Sequence, residues 1–206
     1  MKSTVILLVV MLVNSGVFAK EIGSSCPNFK FTFSESELVK VKEFLAGKIE
    51  RKEPPSKVVL AASIGDINYI KSQESFDSLF EAMYVTLSSD MELFNELLIL
   101  LKPEDINKRS KEQVTLLMMA ADCGRVEAVA QLLDLGADIN MNISSSGIDA
   151  LNMAVMNRDT AMVEYLLDSG ASCKNSVYQS GVTALELSKK LKSNNITKLL
   201  ERCFSK

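Results

Sequence analysis

Apolar and polar positions fall into blocks along this chain, and between residues 115 and 187 one block is written three times. It reads Thr115-Leu116-Leu117-Met118-Met119-Ala120-Ala121, then Asp149-Ala150-Leu151-Asn152-Met153-Ala154-Val155, then Thr183-Ala184-Leu185-Glu186-Leu187, and the starts advance by one constant step. A second marker keeps the same step: Leu132-Leu133-Asp134-Leu135-Gly136-Ala137-Asp138 returns as Leu166-Leu167-Asp168-Ser169-Gly170-Ala171-Ser172. A fixed period of roughly 20 to 50 residues marks units that cannot bury their apolar faces alone and stack to make one continuous core.

Within each clear unit the pattern predicts helix, turn, helix and a long loop. Thr115, Asp149 and Thr183 are helix caps, because their side-chain oxygens can accept from the unpaired amides of the first turn. The first helix presents Leu, Met and Ala, small enough for close packing. Gly124 ends it in a left-handed conformation. The second helix runs over about 126–135 and stops before Gly136, and Asn140, Asn142 and residues 144–147 form the loop to the next unit. Fainter copies lie upstream. Leu60-Ala61-Ala62-Ser63-Ile64-Gly65 echoes Met119-Ala120-Ala121-Asp122-Cys123-Gly124, residues 79–101 are apolar at helical spacing, and Asp105-Ile106-Asn107 stands close to one full step before Asp138-Ile139-Asn140. The units are placed at about 57–78, 79–110, 111–146, 147–179 and 180–206. Before them, Ser34 and Glu37 have capping-box spacing, and Leu38, Val41, Leu45 and Ile49 predict a helix over about 35–50. Pro54-Pro55 in a charged stretch then closes it. Phe29, Phe31 and Phe33 alternate at period 2, as in a short strand or an extended arm.

The first residues have a different character. Lys2 precedes an apolar run over residues 5–13, and Gly16-Val17-Phe18-Ala19 supplies small residues for a cut after Ala19. This predicts a signal peptide over 1–19 and an arm with its helix over 20–56. Asn14, Ser15 and Gly16 interrupt the run short of the about 20 apolar residues a bilayer span needs, so no stable membrane insertion is expected after cleavage. Cys26 lies too far beyond the run for lipidation. Export to the periplasm is expected, with the extracellular space as the alternative. The net charge of −3 becomes −4 once Lys2 is removed, which offers no basic footprint for nucleic acid.

Candidate chemistry is sparse. Absence of histidine removes the commonest general base, the triads built on it and most zinc sites. No catalytic residue, metal ligand or cofactor is expected. Glu104-Asp105, and Asp134 with Asp138, read as solvated carboxylates at loops and helix ends. Of the ten methionines, Met118, Met119, Met153 and Met162 fall at core-facing spacing. Asn142-Ile143-Ser144 and Asn195-Ile196-Thr197 match the glycosylation acceptor pattern, which matters only in a eukaryotic secretory pathway.

Residues 115–200 resemble ankyrin repeats, and residues 57–110 do so more faintly. The family's pattern has a Thr-Pro-Leu-His start, an Ala-Ala pair, a glycine between helices, a Leu-Leu pair and a Gly-Ala-Asp ending. Here the starts are Thr-Leu-Leu-Met, Asp-Ala-Leu-Asn and Thr-Ala-Leu-Glu. The resemblance implies an all-α solenoid of about four to five stacked helix-turn-helix units with an N-terminal capping helix. It also implies that losing the histidine removes hydrogen bonds between loops, and that a concave face and its loops bind another protein. The family's variable surface positions map to Lys111, Glu112, Val114 and Asp122, then Ser145, Ser146, Ile148, Met156 and Asn157, then Gln179 and Val182.

Four cysteines allow three full pairings, and an oxidising compartment permits them. Cys173 opens the loop after the fourth unit and Cys203 ends the last helix, at the same edge of adjacent repeats, which makes Cys173–Cys203 the preferred bond. Cys26 and Cys123 then remain to tie the N-terminal arm across the array. Four free thiols are the opposing expectation. Together these features point to a non-enzymatic binding module in the periplasm, in a specific version an immunity protein against a toxin. The alternatives are a redox-protective or chaperone-like factor using Cys123 and the methionines, and a secreted host-directed effector.

Overall fold

A computed structural model describes residues 34–47, 56–177 and 182–205. The leader, the aromatic alternation at 29–33, Pro54-Pro55, Cys26 and Gln179 lie outside the described residues. The chain divides after Leu101 into two compact units. Pro103, which has no amide to donate, opens a short 3-10 turn at Pro103–Asp105 just past that boundary.

In the first unit, helix α1 (Glu35–Leu45) is shorter than the 35–50 expected and turns out at Gly47. Its Val41, Phe44 and Leu45 are buried. It packs on α2 (Lys57–Ser63), where the Lys57 ammonium sits 5.2 Å from the Phe44 ring centre. Ser56 caps α2 and also donates 2.7 Å to Glu81. Asp66 caps the five-residue α3 (Ile67–Lys71), accepting from the Tyr69 amide at 3.0 Å. Next comes α4 (Phe76–Ser89), which starts three residues before the expected unit boundary. Its Ala82, Met83, Val85 and Leu87 are wholly buried. Thr86 and Ser88 share that environment because their hydroxyls donate to the carbonyls of Met83 and Val85, at 2.9 and 2.8 Å. The single residue Asp90 separates α4 from α5 (Met91–Leu98) and caps the latter through the Leu93 amide.

The second unit repeats one helix pair three times. Its members are α6 (Leu116–Asp122) with α7 (Val126–Asp134), α8 (Ala150–Met156) with α9 (Thr160–Asp168), and α10 (Ala184–Lys190) with α11 (Asn194–Phe204). Both helices of each pair start exactly one sequence step after those of the pair before. The three expected caps are present: Thr115 and Asp149 accept from the Met118 and Asn152 amides, and Thr183 forms a full capping box with Glu186.

Helices α6, α8 and α10 pack side by side, and α9 packs on α11. The residues that meet between pairs stand in register. Leu132, Leu166 and Leu200 are each 0% exposed, and Ala128, Met162 and Ile196 form a parallel buried row. Burying one such leucine contributes about 1.5 to 3 kcal/mol before the opposing entropy is counted. The turn inside each pair needs one left-handed residue. Gly124 supplies it with φ +65°, while Arg158 and Lys192 hold the same place at +57° and +56°. A side chain at Gly124 would also put its Cβ 3.0 Å from Oδ2 of Asp159, the residue that caps α9.

Cys173 and Cys203 are bonded, as preferred from the sequence, with Cα atoms 6.3 Å apart across 30 residues of chain. The bond ties the end of α11 to the loop that follows α9. Replacing Cys203 by Ser is expected to lower stability by about 3 to 4 kcal/mol, from the chain entropy of a loop this long. Hydrogen exchange should speed up most in α11, whose pair has a neighbour on one side only, and least in α6. Uniform acceleration through the second unit would contradict this account.

Candidate functional site

Each loop between helix pairs folds back as a small hairpin. The Ser110 amide donates to the Val114 carbonyl and the Ile143 amide to the Ile148 carbonyl, both at 2.8 Å. Asn142 bridges Asp149, and one repeat later Ser176 pairs with Thr183 and Val177 with Val182 in antiparallel strands β1 (Ser176–Val177) and β2 (Val182–Thr183). The first tip exposes Lys111, Glu112 and Gln113, and the second exposes Ser144 and Ser145. The third tip, with Gln179, lies outside the described residues.

The surface expectation fails at two positions. Val114 is 9% exposed and Ile148 only 1%. Each sits on the returning arm of a hairpin, just before a buried helix cap, and that arm runs against the body of the stack. An apolar side chain there gains burial, so neither is available to a partner. Ser146 is half-buried and uses its hydroxyl to accept from the Ile148 amide. Val182 and Met156 are half-buried as well. Asp122 and Asn157 are neighbours across two repeats, because the Asn157 amide group donates to both the carbonyl and the carboxylate of Asp122 at 2.9 Å. The usable positions therefore form two groups, the hairpin tips and the ends of α6 and α8.

The tips are tied down by side chains that bridge repeats. Arg109 donates to the Asn142 carbonyl of the next hairpin and, at 3.4 Å, to the Gln113 carbonyl of its own. Asn107 donates to the Gly136 carbonyl and accepts from the Asp138 amide at 2.7 Å, and Asn140 accepts from Ser172 at 2.8 Å one repeat on. Asn175 donates 3.0 Å to Asp149. The loss of the histidine thus does not leave the loops untied, because asparagines outside the helix starts carry the bonds. Asn152, at the histidine position of the second start, donates 2.6 Å to Asp149, and its own Oδ1 is buried with no partner among the described residues.

Two carboxyls in this network are raised above the ordinary aspartate range. Burial raises Asp149, against the opposing hydrogen bonds from Asn152 and Asn175. Burial raises Asp122 too, against the bond from Asn157. Of the carboxylates expected to be solvated, Glu104, Asp134 and Asp138 are exposed, whereas Asp105 is half-buried and pairs with Lys108 at 3.3 Å. Cys123 is half-buried and disulfide-bonded, which removes the free thiol that a redox-protective role at that position requires. Its expected partner, Cys26, is outside the described residues.

One residue of the first tip went unnoticed in the sequence. Gln113 takes φ +65°, the place Gly147 holds at +71° in the next hairpin. The repeat step from Gln113 to Gly147 was the available signal. An L-residue in that conformation carries a strain of about 1 to 2 kcal/mol. Such strain concentrates where a side chain has work to do.

Residues 82–177 match the family model described as Ankyrin repeats (3 copies). No significant match is found among curated proteins. Over those residues the fold is an all-α ankyrin-repeat arrangement, and the stacked helix pairs of the second unit are consistent with it.

A raised folded-state value means that the native chain holds the Asp149 proton more tightly than the unfolded chain. The contribution of this group to stability therefore falls as pH rises from the unfolded aspartate value of about 3.9 through the raised folded one. Asp149→Asn keeps an oxygen for the Asn152 amide and removes that fall. Urea midpoints are expected to shift in favour of the variant, relative to the parent, between about pH 4 and pH 7. A shift in the opposite direction would mean that the hydrogen bonds to the carboxylate outweigh its burial. At the first tip, Gln113→Gly relieves the left-handed strain but adds freedom to the unfolded chain. A net gain of a few tenths to about 1 kcal/mol is expected in denaturant unfolding.

Proposed function

We propose, from the premise that residues 82–177 carry ankyrin repeats, that the chain is a non-enzymatic module that binds a protein partner through its hairpin tips and the adjacent ends of α6 and α8. The observation that carries this reading is the hydrogen-bonded fixing of the exposed tips. Lys111, Glu112, Gln113 and Ser145 project from hairpins, and Arg109 links the two. Polar side chains on a fixed backbone bind with less ordering cost than the same residues on a mobile loop. Asp122, Met156 and Asn157 extend the surface as a half-buried polar and apolar strip.

The leader-like pattern of residues 1–19 and the Cys173–Cys203 bond support export to an oxidising compartment, for which we propose the periplasm. There the specific role we propose is that of an immunity protein that occupies a toxin. What supports it is the pairing of that leader pattern with a binding surface built of side chains without catalytic chemistry.

The test joins binding to location. The mature protein is expected to begin at Lys20, to fractionate with the periplasm and to bind one partner saturably in calorimetry. Lys111→Ala combined with Glu112→Ala should weaken that binding by about tenfold or more, while the unfolding midpoint shifts only by the loss of local contacts such as the Ser110–Glu112 hydrogen bond. Unchanged affinity in this double variant and in Asp122→Ala would sink the proposed surface, and an uncut cytoplasmic chain would sink export.

A further inference from the structure

The outer helices of the second unit carry a charge pattern that the loop surface does not use. Glu164 and Asp168 lie one turn apart on α9, and Lys198 and Arg202 occupy the corresponding places one repeat later on α11. All four are exposed, and α9 and α11 pack side by side. One face therefore has an acidic half and a basic half. Glu201, the remaining carboxylate of α11, faces Lys189 at 3.7 Å, so its charge is already matched within the chain. The four outer charges have no ion-pair partner among the described residues. Like charges one turn apart weaken an isolated helix, and only Arg202, in the last turn of α11, stands where its own helix favours its charge.

We propose that this face binds a second copy of the chain about a two-fold axis that lies between α9 and α11 and runs along them. That rotation lays α9 of one copy over α11 of the other. Glu164 then faces Lys198 of the partner subunit and Asp168 faces Arg202 of the partner subunit, and the symmetry repeats both pairs. A two-fold axis across the helices would instead lay α9 on α9 and oppose like charges, so the charges themselves select the axis. A uniformly acidic or basic partner would fit one half of the face and be repelled by the other, whereas a second copy fits both halves. The association uses the outer helices, leaves the hairpin tips open and does not depend on the partner-binding reading above. Exposed ion pairs are individually weak and screened by salt, so assembly is expected only at protein concentrations on the order of 0.1 to 1 mM.

Sedimentation equilibrium of the full chain decides it. A dimer is expected in about 0.02 M salt and a monomer in about 0.5 M. Lys198→Glu with Arg202→Glu should be monomeric in low salt, and so should Glu164→Lys with Asp168→Lys. An equimolar mixture of the two variants should restore a one-to-one dimer, because the acidic face of one now meets the basic face of the other. Should a charge-reversal variant unfold, Lys198→Gln with Arg202→Gln replaces it, with association at least about tenfold weaker as the expected result. A monomer in low salt, a dimer indifferent to both variants, or a mixture that stays monomeric would each overturn the proposal.

Discussion

Each helix pair of the second unit leaves an apolar side that only another pair can cover. Leu132, Leu166 and Leu200 hold the same place in successive pairs and are all fully buried, as are Ala128, Met162 and, within 1%, Ile196. A seven-residue helix joined to one of nine to eleven has too little surface to do this alone. The constant step therefore reflects a packing constraint: an added residue inside a helix would turn that pair's own leucine out of the row, whereas a loop between pairs can absorb one. The Cys173–Cys203 bond acts on the last pair, which has a neighbouring pair on one side only.

Close stacking also brings polar backbone from successive loops together, and those groups must be paired. Asparagine does much of this. Asn107, Asn140, Asn157 and Asn175 each bridge groups that are 26 to 35 residues apart in the chain. An amide side chain suits the task because it donates and accepts at once. Asp149 is the point where capping and bridging meet, since it accepts from its own helix and from Asn175. The cross-linking of the hairpin tips is a by-product of these bonds.

The first unit satisfies its backbone differently. Helix α4 is twice as long as the first helices of the second unit and only one residue separates it from α5. The hydroxyls of Thr86 and Ser88, bonded back to their own helix, let polar residues sit in its core. Without the repeat marker these features were hard to place from residues alone, and the α4 boundary shifted by three residues for that reason.

Local chemistry determined much of what the chain declared in advance. The caps at Thr115, Asp149 and Thr183, the turn at Gly124, the helix pairs and the buried leucine rows depend on neighbours within one turn or on a fixed period. Such features are legible without a partner in space. The exposed tips at Lys111, Glu112 and Ser145 were what the resemblance to ankyrin repeats implied. Tertiary structure alone decided that Val114 and Ile148 turn inward, because their burial depends on the hairpin folding against the stack. It alone showed that asparagines replace the missing histidine, that Gln113 is held where the next loop has a glycine, and that acidic α9 lies beside basic α11. These outcomes depend on which repeat meets which and at what distance. A periodic pattern states that units recur; the contacts between units arise only when the chain is folded.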